Sequence, residues 1–166
     1  MFKHSVMHVQ LAHLEDTARL GRLLAQALVT QGICPLLISG PLGAGKTTLI
    51  RHIVTNLPGG ENAEVSSPSF NFVNLYPTYP EVIHMDLYRL GQIGMDDSLV
   101  EYFDTVDAAL IVEWAELLPP QILPAHFIRV QIEITEGTRK VHLTPHGELA
   151  VKWLQNSNYS ILTCQN

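Results

Sequence analysis

Residues 40–48 read GPLGAGKTT, and they match the pattern G-x-x-x-x-G-K-[ST] of a phosphate-binding loop, or P-loop. The short apolar run Leu36–Ser39 leads into this stretch and is typical of a buried parallel strand. Lys46–Leu57 follows with helical character and meets a stop signal at Pro58-Gly59-Gly60. A strand, a glycine-rich loop and a helix in this order predict an α/β fold organised around bound phosphate.

The residue types of the loop account for its spacing. Gly43 and Gly45 allow the backbone to wrap so that successive N–H groups point at phosphate oxygens. The helix that follows adds the positive end of its dipole. The Lys46 ammonium is expected to reach the β and γ oxygens and the Thr47 hydroxyl to bind Mg²⁺. The predicted ATP-binding residues of the loop are Gly43, Ala44, Gly45, Lys46, Thr47 and Thr48.

Two carboxylates stand at the ends of predicted strands. Asp86 lies near the end of the strand candidate Glu81–Leu87, and Glu113 near the end of Ala108–Trp114. A P-loop enzyme needs such a carboxylate for Mg²⁺, and ligands of open α/β sheets gather at this edge. Either residue alone is equally compatible with a solvated strand end. His84, on the same strand face as Asp86, is expected to be packed or hydrogen-bonded rather than catalytic.

A serine-rich segment follows the loop helix. Ser66-Ser67-Pro68-Ser69-Phe70 has the character of a switch that brings a hydroxyl towards Mg²⁺ and the γ-phosphate. An ordinary hydroxyl turn next to proline explains the same residues equally well. Trp114, directly after Glu113, is a candidate for stacking on a base or on a partner.

The rest of the chain alternates between strand and helix patterns. We therefore expect a three-layer P-loop NTPase-type α/β domain over residues 1–156, with a mixed, partly parallel sheet and antiparallel edge strands, and a flexible tail over residues 157–166. The further predicted strands are Ser5–Leu11, Phe70–Tyr76 and a hairpin of Phe127–Thr135 and Thr138–Thr144 turning at Glu136-Gly137; the further helices are Leu14–Thr30, Asp96–Phe103 and His146–Gln155.

Charge is distributed unevenly along the 166 residues. Ten basic residues stand against 16 acidic ones, and no Lys or Arg occurs between Arg89 and Arg129. Such a segment is a poor surface for RNA, which is usually held by a basic patch. It is a plausible docking surface for a basic protein partner. Its acidic residues are Asp96, Asp97, Glu101, Asp104, Asp107, Glu113 and Glu116.

Cysteine usage and hydropathy indicate the cytosol. Cys34 and Cys164 form no metal-binding spacing, which is typical of one buried thiol and one tail thiol in a reducing compartment. No apolar run approaches the ~18 residues of a membrane span, and the first residues do not look like a signal peptide. We expect a cytoplasmic protein with no membrane association.

Taken together, five segments resemble the TsaE (YjeE) family, the ATPase of bacterial tRNA threonylcarbamoyladenosine biosynthesis. These are GPLGAGKTT (40–48), SPSFNFVNLY (67–76), HMDLYRL (84–90), EYFD (101–104) and IVEWAELLP (111–119). The resemblance implies a small P-loop domain that binds ATP and Mg²⁺ and works with two partners, TsaB- and TsaD-like proteins. ATP turnover there supports repeated threonylcarbamoyl transfer to adenosine 37 of tRNA, and contact with tRNA is expected only indirectly.

The resemblance also implies roles for individual residues. Lys46, Asp86 and Glu113 are the implied catalytic residues, and Thr47, Asp86 and Glu113 the implied metal ligands. The implied nucleotide-binding residues outside the loop are Ser69, Trp114 and, at the adenine side, Thr17 and Arg139. The chain departs from the family at three positions: Pro41 stands where relatives have an acidic residue, Ser69 where they have Thr, and Ala115 where many have Pro.

Two other functions remain open at this stage. A small nucleoside or nucleotide kinase uses several arginines in a lid, for which the segment without Lys or Arg leaves no room. A nucleotide-gated binding module, in which occupancy by ATP organises an assembly and hydrolysis is incidental, has the same P-loop. A GTPase is disfavoured because the guanine motif N/T-K-x-D does not occur.

Overall fold

A computed structural model describes residues 6–90 and 97–157, which form a seven-stranded mixed sheet in the order β1-β7-β6-β2-β5-β4-β3. The β2, β4, β5 and β6 strands run parallel, whereas β1, β7 and β3 pair antiparallel to their neighbours. This arrangement confirms the predicted mixed sheet with antiparallel edge strands. The strands are β1 (Met7–Leu11), β2 (Leu36–Ser39), β3 (Val73–Tyr76), β4 (Glu81–Asp86), β5 (Ala108–Glu113), β6 (Phe127–Thr135) and β7 (Thr138–His146).

Helices cover both faces of the sheet. One face packs against the longer helices and the other against short helical turns, so that two separate apolar cores form. The helices are α1 (Leu14–Thr30), α2 (Lys46–Val54), α3 (Asp97–Val100) and α4 (Glu148–Asn156), with single 3₁₀ turns at Glu101–Asp104, Ala115–Leu117 and Pro120–Ile122.

The first helix shows why its residues are helical. Leu20, Leu24 and Leu28 recur at intervals of four residues and are buried to 2% exposure or less. Asp16 in the first turn accepts the backbone N–H of His13 at 2.9 Å, which satisfies an amide that the helix leaves unpaired. Each buried leucine contributes about 1.5–3 kcal/mol, so this apolar stripe fixes α1 against the sheet.

The interior strand β5 positions the site. All six of its residues are buried, as expected for a parallel strand covered on both faces. Ile111 joins the core under the longer helices, and its neighbours Leu110 and Val112 join the core on the opposite face. Its last residue, Glu113, therefore emerges at the carboxyl edge of the sheet with little freedom in its backbone.

Several predicted boundaries differ from the structure because of local backbone geometry. The strand predicted from Phe70 begins only at Val73, since Phe72 has a left-handed φ of 64°. The strand predicted to include Trp114 ends at Glu113, since Trp114 has a φ of 58°. The helix predicted to reach Leu57 ends at Val54, where tighter backbone bonds such as Leu57 N–H to the Val54 carbonyl take over.

Two other predicted helices are also shifted. The closing helix begins at Glu148 rather than His146, because His146 still pairs with Phe127 in the β6–β7 ladder. Of the described part of the helix predicted at Asp96–Phe103, Asp97–Val100 is α-helical, and a 3₁₀ turn follows. Ser5, Asp96 and the predicted tail beyond Ser157 lie outside the described residues.

The predicted buried thiol is confirmed. Cys34 is 4% exposed, and burial raises its pKa to about 12. Within residues 6–90 and 97–157, no helix is both long enough and apolar enough to cross a membrane.

Candidate active site

The N-terminus of α2 offers unpaired amides. Gly45 caps the helix with a left-handed φ of 97°, a conformation that costs little only for glycine. The first bond of the helix runs from the Leu49 N–H to the Gly45 carbonyl at 2.9 Å. The N–H groups of residues 46–48 precede that bond and have no acceptor within the helix. Such a helix end attracts anions.

Close contact with β6 fixes the start of the loop. A β-carbon added to Gly40 would lie 2.5 Å from the carbonyl oxygen of Ile132, closer than real β-carbons come. Any side chain here would force the loop away from the sheet. The first glycine is therefore required by the sheet as well as by the loop.

The Lys46 side chain is held inside the loop. Its Nζ donates to the carbonyl oxygens of Gly40 at 2.7 Å and Pro41 at 3.0 Å, and it lies 3.8 Å from the centre of the Trp114 ring. Burial lowers the pKa of Lys46 below its ordinary value, and three nearby carboxylates oppose this effect. These carboxylates are Glu113, Glu116 and Asp86.

The indole of Trp114 borders the same space. Its left-handed backbone ends β5 and places the ring between the Lys46 ammonium and Tyr88, whose ring centre is 4.9 Å away. An ammonium over an indole face is a favourable cation–π contact. Trp114 thus contacts the loop lysine directly.

Glu113 is bound from two sides through one oxygen. Its Oε1 accepts the hydroxyl of Thr47 at 2.7 Å and lies 2.9 Å from His84 Nε2. Thr47 belongs to α2 and His84 to β4, so two regular elements hold this carboxylate. His84 is hydrogen-bonded, as its sequence position predicts.

Asp86 lies level with Glu113 on the neighbouring strand. Its Oδ2 accepts a short hydrogen bond from the Ser67 hydroxyl, and its Oδ1 accepts the Tyr88 N–H at 2.9 Å. The prediction that both strand-end carboxylates meet at one edge is confirmed. The serine segment reaches this edge through Ser67.

The phosphate-binding loop, both carboxylates and Trp114 line one cavity of about 320 Å³. Arg139 lies at the loop outside this lining, with its Nη2 3.5 Å from the Gly43 carbonyl oxygen. Thr17 is buried in α1 and is not among the described residues that line the cavity. The lining residues are Leu42, Gly43, Ala44, Gly45, Lys46, Thr47, Thr48, Ser67, Ser69, Asp86, Tyr88, Glu113 and Trp114.

A larger cavity of about 670 Å³ lies beside the loop rather than in it. It shares Trp114 with the smaller one and is bordered by Gly40, Pro41 and Glu116. The larger volume does not mark the phosphate site, because the unpaired helix amides and the loop lysine belong to the smaller cavity.

The oxygen donors present suit Mg²⁺. This ion is usually held by one or two carboxylates together with phosphates and water rather than by a full protein cage. Among the described residues, no group of three or more His, Cys, Asp and Glu side chains is arranged to hold a metal. Thr47 Oγ1, Asp86 and Glu113 nevertheless border one cavity, which fits an ion that shares its ligands with a bound nucleotide.

Sequence reasoning did not find two contacts. The switch prediction did not single out one hydroxyl, and the resemblance implies Ser69 as a nucleotide-binding residue; Ser69 lines the cavity, whereas Ser67 is the one bonded to Asp86. Sequence reasoning also did not place Glu116 near Lys46. The serine run signals a hydroxyl at this edge but cannot select among its members, and Glu116 gives no signal beyond its position after β5.

Known proteins resemble this chain over most of its length. The family model described as "Threonylcarbamoyl adenosine biosynthesis protein TsaE" matches residues 11–141. A Rickettsia felis protein named tRNA threonylcarbamoyladenosine biosynthesis protein TsaE is 33% identical over 134 residues, covering 76% of this chain and 72% of the relative. A Nostoc protein of the same name is 34% identical over 145 residues, covering 81% and 83%.

A solved structure shows the same fold. The crystal structure of Bacillus subtilis YdiB superposes with a TM-score of 0.75, covers 97% of this chain and 99% of its own, and is 23% identical. At this identity the likeness supports the fold alone. From the family match and the relatives, the chain belongs to the TsaE family of threonylcarbamoyl adenosine biosynthesis proteins.

Proposed function

We propose that this protein binds and hydrolyses ATP with Mg²⁺ in support of tRNA N6-threonylcarbamoyladenosine formation at position 37. The observation that carries the proposal is the convergence of Lys46, Thr47 and two strand-end carboxylates on one cavity at the N-terminus of α2. The names of the relatives supply the pathway. A cytoplasmic location and TsaB- and TsaD-like partners belong to the same proposal.

Nucleotide binding uses the loop. The amides of residues 46–48 and the Lys46 ammonium hold the phosphates, and the lysine leaves the Gly40 and Pro41 carbonyls to do so. Arg139, already at the loop, and Thr17 on α1 are proposed for the adenine side. Ser69 and Trp114 line the cavity itself and are proposed to contact the nucleotide there.

Hydrolysis uses the two carboxylates. Thr47, Asp86 and Glu113 would hold Mg²⁺, which would neutralise the negative charge that develops on the phosphate oxygens in the transition state. The carboxylates also orient a water molecule for attack, and Lys46 stabilises the negative charge of the transition state. Each of these contributions matters more in the transition state than in the bound substrate.

Slow turnover is expected from the isolated chain. An arginine near the γ-phosphate can raise the rate by about 10³–10⁵. Arg89, the nearest candidate in sequence, lies over the Phe70 ring at 4.5 Å. Lys46 is the one basic residue among the described residues that line the cavity. A partner is therefore proposed to supply the missing positive charge, and the same scarcity of arginine disfavours the kinase alternative.

Docking is proposed at the acidic segment. Asp97, Glu101, Asp104 and Asp107 are all exposed, so a basic protein surface would be attracted there and salt would weaken the attraction.

The test is the ATPase rate against concentration of purified TsaB- and TsaD-like proteins at two salt concentrations. Stimulation that weakens at the higher salt is expected. Reversal of Asp97 and Asp104 to Lys should remove stimulation and leave basal hydrolysis unchanged. Reversal of Glu15 and Glu64, exposed residues outside the segment, is the matched control. Equal rates with and without partners would contradict the accessory role, and absence of turnover in every condition would favour the nucleotide-gated binding module.

A further inference from the structure

His84 and Glu113 form a buried contact at the edge of the cavity. His84 is 0% exposed, and its Nε2 lies 2.9 Å from Glu113 Oε1. We propose that His84 is a positioning residue that fixes the Glu113 carboxylate for Mg²⁺ and the attacking water. This inference rests on the proposed function and deepens it.

The hydrogen between the two side chains belongs to the histidine. An ionised carboxylate only accepts hydrogen bonds, so Nε2 is the donor. The other ring nitrogen, Nδ1, is buried and has no hydrogen-bond partner within the described residues. A hydrogen on Nδ1 would be buried without an acceptor, which is unfavourable. The surroundings therefore select the tautomer that donates to Glu113.

The ring has little freedom to turn away. His84 sits in the middle of β4, paired with Asn74 of β3 on one side and Ile111 of β5 on the other. Its ring stacks on Tyr76, with centres 6.2 Å apart and planes at 25°. The donor is thus held by the sheet and by an aromatic neighbour rather than by a loop.

Two donors on one oxygen orient the carboxylate. Thr47 and His84 both contact Glu113 Oε1, so rotation of the carboxylate would break both contacts at once. A functional group is effective when its neighbours hold it in the productive orientation. Removing the His84 donor should leave Thr47 as the one remaining contact of this pair and let the carboxylate turn.

Three substitutions separate positioning from packing. His84→Gln keeps an N–H donor at about the reach of Nε2, and His84→Asn carries the same amide one methylene shorter and out of reach. His84→Phe keeps the ring against Tyr76 and removes the donor. Tyr76→Phe is the control, because it keeps the stacked ring and removes a hydroxyl that faces Asn74 instead.

The readouts are kcat and KM for ATP and the calorimetric affinity for ADP with and without Mg²⁺. His84→Phe and His84→Asn should lower kcat about 10–100-fold and reduce the gain in ADP affinity that Mg²⁺ gives. ADP affinity without Mg²⁺ should stay within about twofold. His84→Gln should recover most of both losses, and Tyr76→Phe should match the parent.

A purely structural histidine gives a different result. It would lower metal-free and Mg²⁺-dependent ADP affinity together, and His84→Gln would be no better than His84→Asn; either outcome overturns the inference. If His84→Phe does not fold, the Gln and Asn pair decides. In a Glu113→Ala background, His84→Asn should add little further loss of Mg²⁺-dependent ADP affinity, because the carboxylate that His84 contacts is already absent. Full additivity there would also overturn the inference.

Failure of the inference differs from failure of the proposed function. A parent protein without ATP hydrolysis and without Mg²⁺-dependent ADP binding contradicts the function. A parent with both activities, matched by His84→Phe and His84→Asn, contradicts only the role of His84.

Discussion

Glu113 and Asp86 end neighbouring strands at the same level of the sheet but are held in different ways. Glu113 is bound by Thr47 of α2 and His84 of β4, both within regular elements. Asp86 is bound by Ser67, which lies in the connection between α2 and β3, and by the backbone of Tyr88 just beyond its own strand. One carboxylate is fixed by the framework and the other by connecting segments.

The site can be divided into a Glu113 half, with Thr47 and His84, and an Asp86 half, with Ser67 and Tyr88. The difference between them indicates which half can change its conformation. The Glu113 half is enclosed, and its partner His84 is fully buried. Asp86 itself is as buried as Glu113, but its partner Ser67 is half-buried in a connecting segment, three residues before Phe70, which is 76% exposed. Loop contacts near solvent open at lower cost than contacts within a core. Adjustment to a nucleotide or a partner is therefore expected on the Asp86 side.

The largest expected effect comes from removing either carboxylate. Glu113→Ala and Asp86→Ala should each lower kcat for ATP by about 10²–10⁴-fold and change ADP affinity much less. Thr47→Ala should follow the same pattern. Phosphate release and calorimetry measure the two quantities. If Glu113→Ala hydrolyses ATP at the rate of the parent protein, Glu113 is not catalytic and Asp86 alone must fill that role.

Stability should separate the same two variants. Glu113→Ala leaves the fully buried His84 donor without its acceptor, at a cost of about 1–3 kcal/mol, and also frees the half-buried Thr47 hydroxyl. Asp86→Ala frees the Ser67 hydroxyl at a half-buried position that water can reach. Urea unfolding should therefore show the larger loss for Glu113→Ala. Equal losses would mean that the two halves are equally rigid.

Lys46→Ala should weaken ATP binding without distinguishing the Glu113 half from the Asp86 half. Loss of a charge-assisted contact to the phosphates corresponds to about 1.5–3 kcal/mol, or roughly 10–150-fold in ATP affinity. Arg139→Ala is the control, since its guanidinium contacts the loop only at 3.5 Å from the Gly43 carbonyl oxygen, and its effect should be smaller. Undiminished affinity of Lys46→Ala by calorimetry would contradict the phosphate site.

The smallest effect on kcat is expected from a substitution in the Asp86 half. Ser67→Ala removes one hydrogen bond to Asp86, worth about 0.5–1.5 kcal/mol, and should lower kcat about 2–10-fold. Ser69→Ala is the matched control, because Ser69 lines the cavity but Ser67 makes the bond to Asp86. A larger effect of Ser69→Ala would show that the functional hydroxyl is that of Ser69, the residue that the resemblance implies.

Much of the fold could be predicted because local patterns determine it. The loop motif, the apolar strands and the leucine stripe of α1 each specify their own element, and the carboxyl-edge rule brings Asp86 and Glu113 together. The left-handed residues Phe72 and Trp114 could not be predicted. Neither is a glycine, and the surrounding fold imposes a conformation that their own preference opposes.

The contacts of the site depend on register, which the sequence does not state. His84 meets Glu113 only because β4 and β5 align Asp86 with Glu113, and a shift of one residue would point His84 to the other face. The choice of Ser67 over Ser69 likewise depends on how the loop turns at Pro68, where the Phe72 N–H bonds the Pro68 carbonyl at 2.6 Å. Three-dimensional context decides both.

The resting contacts of Lys46 make nucleotide binding an exchange. The ammonium already has two carbonyl oxygens and an indole face as partners, and it must give up contacts to reach a phosphate. The affinity that is measured is therefore the difference between two sets of contacts rather than the full strength of the second set. The same loop with an unengaged lysine would bind nucleotide more tightly and release it more slowly.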